Sequence, residues 1–133
     1  MSEAGMWEAI RPRLKKLDPV RIENVVGSGT PDVNYNDGWI ELKYLDAWPA
    51  RENTPVRIDH FTPQQKAWLV RRSNTGGKAW LLLKVGKTDW LLFDGMTAAR
   101  FVGQITKQEL YERAHAYSAH LPTFKELKQW LLN

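Results

Sequence analysis

The segment "GTPDVNYNDGWIELK", residues 29–43, decides how this chain folds. Val33, Tyr35, Ile40 and Leu42 alternate with polar residues on either side of Asp37-Gly38, a dipeptide favoured at two-residue hairpin turns. With Asp37-Gly38 as the turn, Tyr35 faces Ile40, Asn34 faces Glu41, Val33 faces Leu42 and Asp32 faces Lys43. Alternation then puts Val33, Tyr35, Ile40 and Leu42 on one apolar face and Asp32, Asn34, Glu41 and Lys43 on the other. Opposed residues have Cβ atoms about 5 Å apart and diagonal ones about 7–8 Å, so the diagonal pair Asp32 and Glu41 comes within reach of one hard cation, with Lys43 beside it. A solvated hairpin face with an Asp-Lys pair, contributing about 0.2–1 kcal/mol, accounts for the same spacing.

Working outward, Val20–Val26 reads as a strand ended by "GSGT", and before it Ser2 can cap a helix over residues 3–17. Trp7, Ile10, Leu14 and Leu17 recur there at three-and-four spacing, and Asp18-Pro19 ends the helix. On the other side, residues 45–61 hold two prolines and no sustained periodicity, the pattern of a long loop that could cover a site. Thr62-Pro63-Gln64-Gln65 opens a second helix with Thr62 as cap, Pro63 at the first position and Gln65 at the capping-box position. "KAWLLLKVG" and "DWLLFDG" are short apolar runs with little alternation, as in strands covered on both faces. Two further helices open at Thr106 with Glu109 and at Thr123 with Glu126. This order predicts an α/β domain, a mixed central β-sheet flanked by helices in two or three layers, spanning residues 1–133 as one unit.

Composition narrows the chemistry. The chain has no cysteine, and its three histidines lack metal-ligand spacing, so disulfides, thiolate catalysis and Cys-based zinc sites are excluded and any metal must be held by oxygen. No stretch of about 18 apolar residues and no charged-then-apolar leader is present, which predicts no membrane span and a cytoplasmic location. A formal charge of +4 leans toward a polyanionic partner without naming one. "GSGT" and "TGGK" lack the ending a phosphate loop needs, and no Ser-His-Asp arrangement is visible.

Pro31-Asp32, followed on an apolar strand by Glu41-Leu42-Lys43, resembles the PD-(D/E)XK nuclease superfamily, whose members have a restriction-endonuclease-like core. "RIENVVGSGTPDVNYNDGWIELK" with the later "FTPQQKAWL" is similar to the small phage and bacterial members of the VRR-NUC and Holliday-junction-resolvase-like branch. There a Gly-x-Pro-Asp strand, a Glu-x-Lys strand and a glutamine-bearing helix follow in that order, a match that covers residues 20–72. The resemblance implies a Mg²⁺- or Mn²⁺-dependent endodeoxyribonuclease acting on branched or junction DNA. If phage-encoded, it would work in the bacterial host cytoplasm.

The resemblance also implies roles. Asp32 and Glu41 would bind the metal with the main-chain carbonyl of Leu42, and Lys43 would position water or neutralise charge on the phosphate. Glu23 would add a further acidic residue, with Glu8 the alternative if the first helix lies over the site; a plain surface glutamate accounts for Glu23 equally well and for Glu8 better. Gln65 matches the helix glutamine, although its capping-box position explains it without any chemistry. Arg51, Arg57, Lys66, Arg71 and Arg72 are candidate phosphate contacts only as a group, and Trp68 reads as core. Paired cuts would call for a homodimer. The alternative is a non-catalytic nuclease-fold module that binds DNA or a protein.

Overall fold

Six strands form one sheet in chain order in the computed structural model, which describes residues 2–23 and 28–132. They are β1 (Val20–Arg21), β2 (Val33–Tyr35), β3 (Gly38–Leu45), β4 (Lys78–Val85), β5 (Asp89–Asp94) and β6 (Ala116–Ser118). All neighbours are antiparallel except β3 and β4, which run parallel and are joined by α2 (Pro63–Asn74). The remaining helices are α1 (Glu3–Leu14), α3 (Gly95–Phe101), α4 (Lys107–Arg113) and α5 (Phe124–Leu132).

The hairpin turns one residue earlier than its sequence suggests. Asn36 and Asp37 make the turn, so Tyr35 pairs with Gly38, Asn34 with Trp39 and Val33 with Ile40. Gly38 belongs to β3, where it lies against Lys78 of β4, and a Cβ there would come 2.5 Å from the Lys78 carbonyl oxygen. The glycine is thus required for close approach of two main chains rather than for a left-handed turn. Because the register moves by two residues, the expected partners change while both faces keep their members. The next step of the ladder sets Asp32 across from Glu41, where the sequence reading had set Lys43.

The two faces carry separate cores, which makes the domain three-layered. On one side Val33, Tyr35, Ile40, Leu42, Trp80, Leu82, Trp90 and Leu92 pack under α1 and α5. On the other, Leu81, Leu83, Leu91 and Phe93 pack under Trp68 and Leu69 of α2, Ala98 of α3 and Leu110 of α4. β4 and β5 are buried on both faces, as their unbroken apolar runs predict. Tyr35 ties three elements together: its hydroxyl accepts from Trp80 Nε1 at 3.0 Å and donates to the Leu131 carbonyl at 3.2 Å.

Several boundaries differ from expectation. The first helix buries Met6, Ile10 and Leu14, with Met6 and not Trp7 at the head of the stripe, and its last turn, Lys15–Leu17, tightens to 3₁₀ before Asp18 at φ 54°. The predicted strand over Val20–Val26 is paired only at Val20 and Arg21, with Ile22 N–H continuing to the Asp32 carbonyl at 2.7 Å; Val25 and Val26 lie outside the described residues. α3 and β6 were not anticipated. α3 starts directly from β5 inside one apolar run, capped by Asp94 accepting from Thr97 N–H at 2.9 Å, and β6 is three residues long, too short to show a period. Among the described residues no helix is long and apolar enough to cross a membrane.

Candidate active site

β2 begins at Val33, so Leu42 N–H on β3 has no main-chain partner from the ladder and turns to a side chain instead. Asp32 Oδ2 accepts it at 2.9 Å. This bond points the Asp32 carboxylate along the face that carries Glu41 and Lys43. Arg21 Nη1 stands 3.7 Å from Asp32 Oδ1, and Asp32 keeps 22% of its side chain exposed, which makes it the opening of the site to solvent.

Glu41 and Lys43 are both buried, at 1% and 2% exposure, beneath the start of α2. Lys43 Nζ lies 3.4 Å from Glu41 Oε2, donates to the His60 carbonyl at 3.0 Å, and sits 6.0 Å from the centre of the Phe61 ring. The long loop therefore does cover this face, and it is pinned there by buried Val56, Ile58 and Phe61. Burial pushes the Glu41 carboxyl up to about 9; a hydrogen bond to the Asp32 side chain and that residue's negative charge add to the rise, and Lys43 opposes it. Glu41 Oε1 is buried without a hydrogen-bond partner.

A glycine brings the acidic loop to this place. Gly29, at φ +80°, lies against the first turn of α2, and a Cβ there would overlap the Gln64 carbonyl. Gln65 is half-buried in the same turn and closes a complete capping box: its Oε1 accepts Thr62 N–H at 2.9 Å while its own N–H donates to Thr62 Oγ1 at 3.2 Å.

The structure thus groups Asp32, Glu41, Leu42 and Lys43, with Gln65 at the head of the covering helix. Glu23 is exposed beyond β1, and Glu8 is exposed on α1 beside a cleft formed with Arg11, Lys15 and Asp18. The acidic residue of α1 that approaches the site is Glu3, whose Oε2 lies 3.0 Å from Nε2 of His60, the residue whose carbonyl holds Lys43. Glu3, His60 and Arg21 carry no local signal in the sequence, because each reaches the site through tertiary packing.

Two carboxylates on adjacent strands, one with an orphaned buried oxygen, suit a hard divalent cation that keeps several waters. A cation there would give Glu41 Oε1 a partner and offset the cost of ionising Glu41 in its burial. Among the described residues no group of three or more His, Cys, Asp or Glu forms a fuller cage.

The mixed sheet, with β3 and β4 parallel at its centre and helices on both faces, is matched by a solved structure. That structure is Hjc of Archaeoglobus fulgidus, a Holliday junction resolvase from an archaeal hyperthermophile, with a TM-score of 0.52 over 84% of this chain and 93% of that chain. This chain has the fold of a Holliday junction resolvase. The identity is 17%, so the likeness is one of fold. No protein family model matches the chain, and no curated protein matches it.

Proposed function

We propose that the protein is a metal-dependent endodeoxyribonuclease of the PD-(D/E)XK superfamily, in its small VRR-NUC and Holliday-junction-resolvase-like branch, hydrolysing phosphodiester bonds in branched DNA. The observation that carries this reading is the buried Glu41-Lys43 pair set against Asp32, on a fold shared with a junction resolvase. Asp32 and Glu41, with the Leu42 carbonyl, would hold Mg²⁺ or Mn²⁺, which supplies an activated water and polarises the phosphate when bound. Lys43, fixed by Glu41 and the His60 carbonyl, presents a positive charge where the phosphate gains negative charge. Leu42 keeps its side chain in the core, so it serves the site only through its main chain. A homodimer would supply two such sites for paired cuts.

The deciding experiment is cleavage of matched four-way-junction, flap and linear duplex DNA with Mg²⁺, Mn²⁺ or EDTA, comparing native protein with Asp32→Ala and Lys43→Ala. Metal-dependent cutting lost in both variants is expected, with the junction cut fastest. No cutting of any substrate by folded native protein, with DNA binding retained in the variants, would replace this reading by a non-catalytic binding module on a nuclease scaffold.

A further inference from the structure

The α2 face of the hairpin continues past the acidic pair. Trp39 lies two residues before Glu41 on the same face of β3, about 7 Å along the strand, and Asn34 is its partner on β2, two residues after Asp32. Trp39 meets Trp68 of α2 edge-on, with ring centroids 5.3 Å apart. Arg72, one helical turn further on, lays its guanidinium over both rings, at 4.5 Å from the Trp68 centroid and 5.6 Å from that of Trp39. Gly77 makes room for the arginine stem, since a Cβ there would overlap Arg72 Cδ. Arg72 borders a cleft of about 240 Å³ whose other walls include Asn34, Asn36, Asp37, Trp39 and Lys78. Among the described residues no carboxylate forms a salt bridge with Arg72, and Asp37 on the same rim does not.

Packing against two tryptophan rings holds a guanidinium by its π-face contacts without using its N–H donors, which match a phosphate bidentately. Gln65 and Arg72 are seven residues apart on α2, about 10 Å along the helix axis, so the arginine lies about two turns beyond the end of the helix that covers the acidic pair. We propose that Arg72, mounted on Trp39 and Trp68, grips a backbone phosphate of the DNA strand beside the bond that is cut. The proposal rests on the nuclease reading and adds to it a fixed point that sets the path of the strand across the cleft. Because the grip is on phosphate alone, it is indifferent to sequence.

A purely structural Arg72 would cover the tryptophans with its stem, and methionine does the same without charge. The test is therefore the salt dependence of four-way-junction binding in EDTA for native protein, Arg72→Met, and Lys128→Met on α5 in the opposite layer. Removing one phosphate contact lowers the slope of log K against log salt by about 0.9 and weakens binding on the order of tenfold at low salt, with an unchanged melting midpoint. Lys128→Met should keep the native slope. Equal slopes and affinities for native protein and Arg72→Met overturn the proposal while leaving the nuclease reading intact. Absence of DNA binding by native protein also overturns it, and the cleavage assay then shows separately whether the nuclease reading falls too.

Discussion

Leu42 N–H donates to Asp32 Oδ2 at 2.9 Å, so an acidic side chain finishes the hairpin ladder that β2 leaves one residue short. One bond thereby closes the strand pair and aims the carboxylate at Glu41. Asp32→Asn keeps an acceptor for Leu42 N–H and removes the charge. It should leave the melting midpoint within a degree or two and lower cleavage on the order of 10²-fold or more. Asp32→Ala loses the bond as well and should cost about 1–2 kcal/mol of stability. Denaturant titration beside single-turnover cleavage separates the two effects, and an Asn variant that cuts at the native rate would remove Asp32 from the chemistry.

Glu41 supplies a pH dependence of stability with a definite sign. Its carboxyl is raised from 4.5 to about 9, chiefly by burial and then by Asp32, so the folded chain holds a proton that the unfolded chain releases in between. Stability contributed this way is complete below about pH 4.5 and falls as pH rises toward about 9. Unfolding in EDTA at pH 5, 7 and 9 should show that fall, and Glu41→Gln should flatten it. Divalent metal competes with the same proton, so its affinity should rise over the same interval. A native curve parallel to the Glu41→Gln curve would mean that Glu41 is already ionised without metal.

Much of this site is legible in the sequence, for a reason visible in the hairpin. Side-chain alternation is insensitive to a register shift of two residues, so Asp32, Asn34, Glu41 and Lys43 fall on one face whether the turn is Asp37-Gly38 or Asn36-Asp37. The turn itself was misplaced because Gly38 serves a contact with Lys78, forty residues on, and local turn chemistry has no access to that pairing. The capping boxes at Thr62 and Thr106 read correctly because they are complete within four residues. Glu3, His60 and the Arg72 stack were illegible because each depends on which segments meet across the layers.

Gly29 should tolerate no side chain. Its φ of +80° is strained for any other residue, and a Cβ would overlap the Gln64 carbonyl at the head of α2. Gly29→Ala must push the acidic loop off the helix, at a cost of about 2 kcal/mol or more. Because Asp32 follows three residues later, cleavage should fall further than the melting midpoint alone explains. Gly76 is the control: it has φ +86° with open space around its Cβ position, so Gly76→Ala carries only the backbone strain and should cut DNA normally. Equal losses of activity in the two variants would show that contact with α2 does not position Asp32.

Gln65 joins a structural duty to a place at the site, and one pair of substitutions divides them. Its side-chain oxygen accepts Thr62 N–H at 2.9 Å, completing the capping box that starts α2 over Glu41 and Lys43. Glutamate satisfies the same box and also suits the positive end of the helix dipole, so Gln65→Glu should be at least as stable as the native protein. Gln65→Ala should lose about 0.5–1 kcal/mol. If Gln65 acts only as a cap, Gln65→Glu cleaves at the native rate and Gln65→Ala falls only as far as its lost stability dictates. If its amide also contacts DNA or the attacking water, Gln65→Glu is stable yet cuts at least tenfold more slowly, since a carboxylate there repels the phosphate. Melting midpoints and single-turnover rates of the two variants decide between a cap and a working residue.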